Sequence, residues 1–152
     1  MGSDFYFNTS PILGWTVVLV AARRYTQQEH LLIALIHPYR KLLWSTISEM
    51  PQKYHTVKAL ALLCTWPIPS TAEMGNNVGT EKPGPGLSRL GLSELDPTFM
   101  LSGIMMQIAT QTGLYITSQM QDTTQQRNSG KAEIEDRQLT WAACNIVSQR
   151  YS

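Results

Sequence analysis

Apolar residues recur every three or four positions along most of the chain, which is the spacing of a helix with one buried side. Six segments show this pattern or the signals of helix ends. They are residues 12–24, 26–37, 38–50, 55–66, 99–112 and 133–150. The sequence contains no pair of strand-like segments joined by turn residues. The pattern therefore predicts an all-α fold, a helical array of about six helices.

Cap residues and prolines set the predicted helix ends. Ser10 before Pro11 predicts a start, because serine can accept a bond from a free backbone N–H and proline has no such donor. Pro38 predicts a break or a kink. Gly113 predicts a stop, because glycine adopts the left-handed conformation that follows many helices. Two further start signals are Thr26 with Glu29 and Asp96 with Pro97.

The periodicity also predicts which side chains are buried. Residues 55–66 are apolar almost all round, which predicts a central helix covered on most sides. Val17, Val18 and Val20 in the first segment suit a strand equally well. The faces predicted to be buried are Trp15, Val18, Leu19 and Ala22; Tyr39, Leu43, Ile47 and Met50; Met100, Ile104 and Ile108; and Leu139, Ala143, Ile146 and Val147.

Two polar stretches separate the helical segments. Residues 67–95 are rich in Gly, Pro, Ser and Asn, and residues 117–131 have almost no apolar side chain to bury. Connections this long and this polar predict flexible surface loops. The whole chain has 152 residues, of which 43% are apolar. That is enough apolar side chain for the core of one packed domain.

Charge and cysteine content restrict the function classes. The 12 basic and 11 acidic side chains give a net charge of +1, so we expect no direct binding of nucleic acid by this segment. Cys64 and Cys144 lie far apart and outside any paired motif, which predicts small buried hydrophobes rather than a zinc site or a disulfide. The longest apolar stretch, residues 11–22, is too short to cross a bilayer, and no secretory signal begins the chain. We expect a reduced, soluble, intracellular protein.

Three blocks carry a family likeness. They are HTVKALALLCTWPIP at 55–69, DPTFMLSGIMMQIATQTGL at 96–114 and DRQLTWAACNIVSQ at 136–149, with SPILGWTVVLVAARRY at 10–25 before them. In this order they resemble the middle homology region of fungal zinc-cluster transcription factors. The likeness is greatest to the regulators of leucine biosynthesis and of the weak-acid response, and it covers nearly the whole chain.

The resemblance implies an all-helical regulatory domain in the nucleus that responds to a small-molecule effector or to transcriptional co-regulators. It also implies that DNA binding and zinc belong to a six-cysteine cluster, which this sequence lacks. The chain departs from the family at Tyr115, Ile116 and Thr117, where relatives continue with a His-Arg-Pro-like ending. In the family the helix near Ser152 is internal, so we expect residues 1–152 to be one partial domain that packs on the remainder of its regulatory region, with a homodimer as an option for the full-length protein.

No residue pattern predicts catalysis, a bound cofactor or a metal site. His30, His37 and His55 have no partner at ligand spacing, and no serine has a nucleophile-elbow setting. The basic pairs Arg23–Arg24 and Arg40–Lys41 can touch a phosphate or an acidic partner segment, but such pairs at helix ends more often favour the helix dipole or face water. We therefore predict that the chain is not an enzyme.

One candidate effector pocket is indicated on the fifth segment. Its residues, Phe99, Met100, Met105 and Met106, combine an aromatic ring with adaptable thioethers, although a plain core explains them as well. Two other readings stay open. The chain is either a free-standing helical protein-interaction module or, less in keeping with the residues, part of an enzyme whose active site lies outside it.

Overall fold

The computed structural model describes residues 7–8, 10–24, 29–49, 51–68, 97–119 and 130–151. All regular secondary structure in these ranges is helical, so the predicted all-α fold is confirmed. The six helices are α1 (Pro11–Ala22), α2 (Glu29–Ser48), α3 (Tyr54–Thr65), α4 (Pro97–Gln111), α5 (Leu114–Gln119) and α6 (Lys131–Arg150).

Helix α3 is the centre of the array. It packs against α1, α4 and α6, while α2 packs on α1 and the short α5 contacts both α4 and α6. Val57, Leu60 and Cys64 of α3 are fully buried, and so is Ala59 on another side of the helix. Burial on several sides follows from the near absence of polar residues in this segment. The prediction of a central helix is confirmed.

Helix α2 continues through Pro38, so a break there is wrong, while a kink stays a prediction. The buried residues Leu32, Ile36, Tyr39 and Leu43 follow one another at helical spacing on both sides of the proline. Packing of this continuous stripe outweighs the roughly 3 kcal/mol that an interior proline costs a helix, and the Pro38 ring itself is exposed. The predicted burial of Tyr39 and Leu43 is confirmed, Ile47 is half-buried, and Met50 lies outside the described residues.

In α1 the predicted helix is correct, but the predicted buried face is only partly correct, and the Ser10 side chain does not form the predicted cap bond. Leu19 is buried and Val18 and Ala22 are half-buried as part of the predicted face, whereas Trp15 is exposed and Ile12 and Thr16 are buried instead. A polar side chain lies inside because Thr16 forms a hydrogen bond with Tyr39 of α2. The Ser10 side chain forms no cap bond; instead its backbone oxygen accepts from the N–H of Gly14.

The buried faces of α4 and α6 agree only in part with the predicted ones. On α4 the predicted residue Ile108 is buried and Ile104 is half-buried, whereas Met100 is exposed and Leu101, Met105 and Ala109 are buried as well. On α6 the predicted residue Val147 is buried, together with Thr140 and Cys144, while the predicted residues Leu139, Ala143 and Ile146 are exposed. Both helices carry apolar residues on more than one side, so the sequence pattern does not single out the side that packs against α3.

Most of the two predicted loops, 69–96 and 120–129, lies outside the described residues, as do the cap residues Thr26 and Asp96. The second predicted loop is wrong at both ends. Residues 117–119 belong to α5, whose first residue Leu114 is fully buried, and α6 begins at Lys131. The predicted stop at Gly113 is confirmed by its positive φ of 68°.

Candidate functional site

The four residues of the predicted effector pocket lie on different sides of α4. Met105 is fully buried, Met106 packs against the core from a half-buried position, and Phe99 and Met100 are exposed. Successive helix residues are rotated by about 100°, so Met100 and Met105 point about 140° apart. Helix α4 therefore does not bring the four side chains to a single wall, and an effector-binding role for any of them stays a prediction.

Cys64 and Cys144 are both fully buried, as the sequence predicted. Burial raises the pKa of the Cys144 thiol to about 11, because the thiolate loses its hydration. The thiol of Cys144 therefore stays protonated at neutral pH and behaves as a small core side chain.

The three histidines lie on two helices. His30 and His37 are exposed on α2, and His55 is half-buried near the start of α3. Among the residues that the structure describes, no group of three or more His, Cys, Asp or Glu side chains could hold a metal ion.

The strongest cluster of ionisable side chains joins α3 to α6. One carboxylate oxygen of Asp136 accepts hydrogen bonds from the Lys58 ammonium group and from the Tyr54 hydroxyl, the latter at 3.2 Å. The Arg137 guanidinium lies 5.2 Å from the centre of the Tyr54 ring, within cation–π range. Arg137 also reaches Glu133 at 3.5 Å, one turn earlier on α6.

This cluster shifts two pKa values. Burial, followed by the Asp136 carboxylate, raises the pKa of the Tyr54 hydroxyl to about 12, because both disfavour the phenolate. Burial and then the Lys58 ammonium group lower the pKa of His55, because both disfavour the imidazolium. The His55 Nδ1 atom is buried and has no hydrogen-bond partner among the described residues.

The arrangement suits cross-linking of two helices better than proton transfer. Asp136 is already bound by two donors, and Tyr54 holds its proton far above neutral pH, so neither group is a ready base or acid there. Sequence reasoning did not find this cluster. Tyr54 and Lys58 share a helix face at a spacing of four, but nothing in the pattern indicates a partner 78 positions away.

An apolar pocket of about 240 Å³ lies between α1 and α2. Its lining residues are Trp15, Leu19, Leu35, Pro38, Tyr39 and Leu42. Leu35, Pro38 and Leu42 line this pocket from one continuous helix, whereas the sequence predicted a break or a kink at Pro38.

A second cavity, of about 540 Å³, lies between α1 and the end of α3, and we call it the basic groove. Apolar residues form its walls and two arginines lie at the end of α1. The lining residues are Val17, Val20, Ala21, Arg23, Arg24, Leu62 and Trp66. The other basic pair, Arg40 and Lys41, lies in the middle of α2 and faces solvent, not at a helix end as predicted.

The chain matches no protein-family model, no curated protein and no solved structure. Within the described ranges, none of the helices combines the length and the apolar content that crossing a bilayer requires.

Proposed function

We propose that the chain is a regulatory and interaction region of a fungal zinc-cluster transcription factor that acts in the nucleus on transcription by RNA polymerase II. DNA binding then belongs to a zinc cluster outside this sequence. The succession of the three sequence blocks and the all-α architecture support this proposal. In this role the chain carries no chemistry of its own and works by binding other protein surfaces and an effector.

The observation that carries the proposal is an unpaired apolar stripe on α6. Leu139 and Ile146 are 71% and 66% exposed, and Ala143 between them is also exposed. The three residues are spaced by four and three positions, so they share one face of the helix. A face of this kind marks a contact with another protein surface. In the proposed role that surface is the remainder of the regulatory region or a co-regulator.

A reporter experiment tests the proposal. The chain is inserted between a heterologous DNA-binding domain and an activation segment, and reporter output is compared with that of the same fusion without it. We expect the chain to change output severalfold. The double variant Leu139→Glu/Ile146→Glu should abolish this change, because two carboxylates on the stripe oppose burial.

The matched control is the double variant Gln107→Glu/Gln149→Glu, which adds the same charge at exposed polar positions on α4 and α6. It should behave as the unaltered chain does. Reporter output that is the same with and without the chain would contradict a regulatory role.

The same stripe also suits the alternative, a free-standing helical interaction module. The DNA upstream of the coding sequence separates the two. A six-cysteine cluster encoded in frame before this segment supports the transcription factor, and an intact locus without one supports the free-standing module.

A further inference from the structure

Arg23 in the basic groove has no partner for its charge among the described residues. Its Nη1 atom is buried and forms no hydrogen bond there, and no carboxylate of the described chain forms a salt bridge with it. The carbonyl end of α1 favours a basic residue at this position through the helix dipole. The dipole does not account for a buried guanidinium N–H without an acceptor, which is a costly arrangement.

An incoming carboxylate would give Arg23, which lines the groove, the charge partner that it lacks among the described residues. Arginine presents a planar set of donors that binds a carboxylate through two parallel hydrogen bonds, and the exposed Arg24 next to it adds a second positive charge. The other groove walls, including Val20 and Leu62, are apolar. The ligand chemistry that fits is therefore a carboxylate beside an apolar group.

The open shape of the groove favours a peptide over a small molecule. Val17 and Trp66 on its walls are 45% and 44% exposed, so a ligand would stay partly in contact with solvent. Small-molecule sites usually enclose most of the ligand surface. Tryptophan and arginine together are also the side chains that contribute most to protein–protein interfaces.

We propose that the basic groove binds a short acidic segment of a partner protein, with a carboxylate on Arg23 and a neighbouring apolar side chain against Trp66. This inference goes beyond the proposed function. The basic groove is a different surface from the α6 stripe, so the outcome of the reporter experiment does not decide whether the groove binds a peptide.

The test is a fluorescence-anisotropy titration of the full chain with a fluorescein-labelled, acetylated and amidated octapeptide of sequence SDDFDLDS. We expect saturable binding that weakens at least tenfold between about 50 and about 500 mM salt, because salt screens charge pairs at a solvent-exposed site. The amide counterpart SNNFNLNS, which has the same shape without the charges, should bind at least tenfold more weakly.

Two variants locate the site. Arg23→Gln should weaken binding of SDDFDLDS at least tenfold, whereas Arg40→Gln, which removes an equal charge from the exposed face of α2, should leave it within twofold. Val17→Glu places a competing carboxylate on the groove wall and should also weaken binding at least tenfold. Its control is Ile33→Glu, at an equally exposed apolar position on α2. Circular dichroism confirms that each variant retains its helix content.

Three results would overturn the proposal. The first is binding that Arg23→Gln and Val17→Glu leave unchanged. The second is an equal loss with Arg40→Gln, which would indicate nonspecific attraction. The third is displacement of the peptide by an equal concentration of phenylacetate, which would make the ligand a small organic acid instead of a protein segment.

Discussion

Among single residues, Thr16 and Tyr39 form the main polar contact inside the core. The Thr16 hydroxyl donates to the backbone oxygen of Ile12 at 2.6 Å and lies 2.7 Å from the Tyr39 hydroxyl. A threonine hydroxyl has only one hydrogen, so Tyr39 donates to Thr16. Burial raises the pKa of Tyr39 to about 12, which keeps this donor protonated. The pair therefore joins α1 to α2 with every hydroxyl hydrogen used.

Thr16→Val should destabilise the fold by about 1–3 kcal/mol, because it leaves the buried Tyr39 hydroxyl without an acceptor. Tyr39→Phe should cost less, about 1 kcal/mol, because Thr16 keeps its bond to Ile12. The measurement is the free energy of unfolding in urea. Thr110→Val is the control, since Thr110 forms the same kind of backbone bond at an exposed site. A cost for Thr16→Val no larger than that control would show that the buried pair contributes little.

The sequence predicted burial correctly for residue types that are usually found in a protein core, such as cysteines outside any paired motif and the leucines of an apolar helix. Cys64, Cys144 and Leu60 were expected in the core and are there. Thr16 and Asp136 were not expected to have partners, because a long-range hydrogen bond depends on where another helix is placed. The basic groove was missed for the same reason, since Arg23 and Trp66 are 43 positions apart and only the contact of α1 with α3 brings them together.

At the scale of the helices, the sequence predicted which segments form helices more reliably than it predicted which face of each helix is buried. Each described helix matches a segment with helical spacing or a start signal, apart from α5, which falls partly in a predicted loop. The buried faces of α4 and α6 were predicted only in part, with Ile108 and Val147 correct, because each helix carries apolar residues on more than one side. On α6 both Leu139 and Cys144 are apolar enough to be buried, but only Cys144 lies in the core, where α6 packs against α3.

One glycine in the middle of α4 and one just after its end should respond to alanine in opposite directions. Gly103 is exposed within the helix, and an added Cβ would meet no atom within 4 Å, so Gly103→Ala should stabilise the fold by about 0.5–1 kcal/mol. Gly113 has a positive φ of 68°, so Gly113→Ala should destabilise it by about 1–2 kcal/mol. Thermal unfolding of both variants measures this contrast. Equal shifts would mean that the turn between α4 and α5 is not held in the left-handed conformation.

Across the whole molecule, the buried residues lie around α3 while several outer faces stay apolar. Phe99 on α4 is 69% exposed, comparable to Leu139 and Ile146 on α6. Helix α2 contacts the other helices mainly through α1. Within the part of the chain that the structure describes, no helix packs on the side of α2 that faces away from α1, and Leu31 and Trp44 of this helix are exposed. A protein with this surface should associate with other protein surfaces more readily than one whose apolar residues are all in the core.

The purified chain should therefore bind the dye 8-anilinonaphthalene-1-sulfonate and self-associate with increasing concentration. The measurements are dye fluorescence and sedimentation velocity. Leu139→Glu/Ile146→Glu should lower both, because the charged variant loses the apolar face of α6, while Gln107→Glu/Gln149→Glu should lower neither. A monomer at all concentrations, with cooperative unfolding and no dye binding, would show that the exposed side chains do not act as an interaction surface. That outcome would remove the physical basis of the proposed regulatory role, because the α6 stripe is the feature that requires a partner.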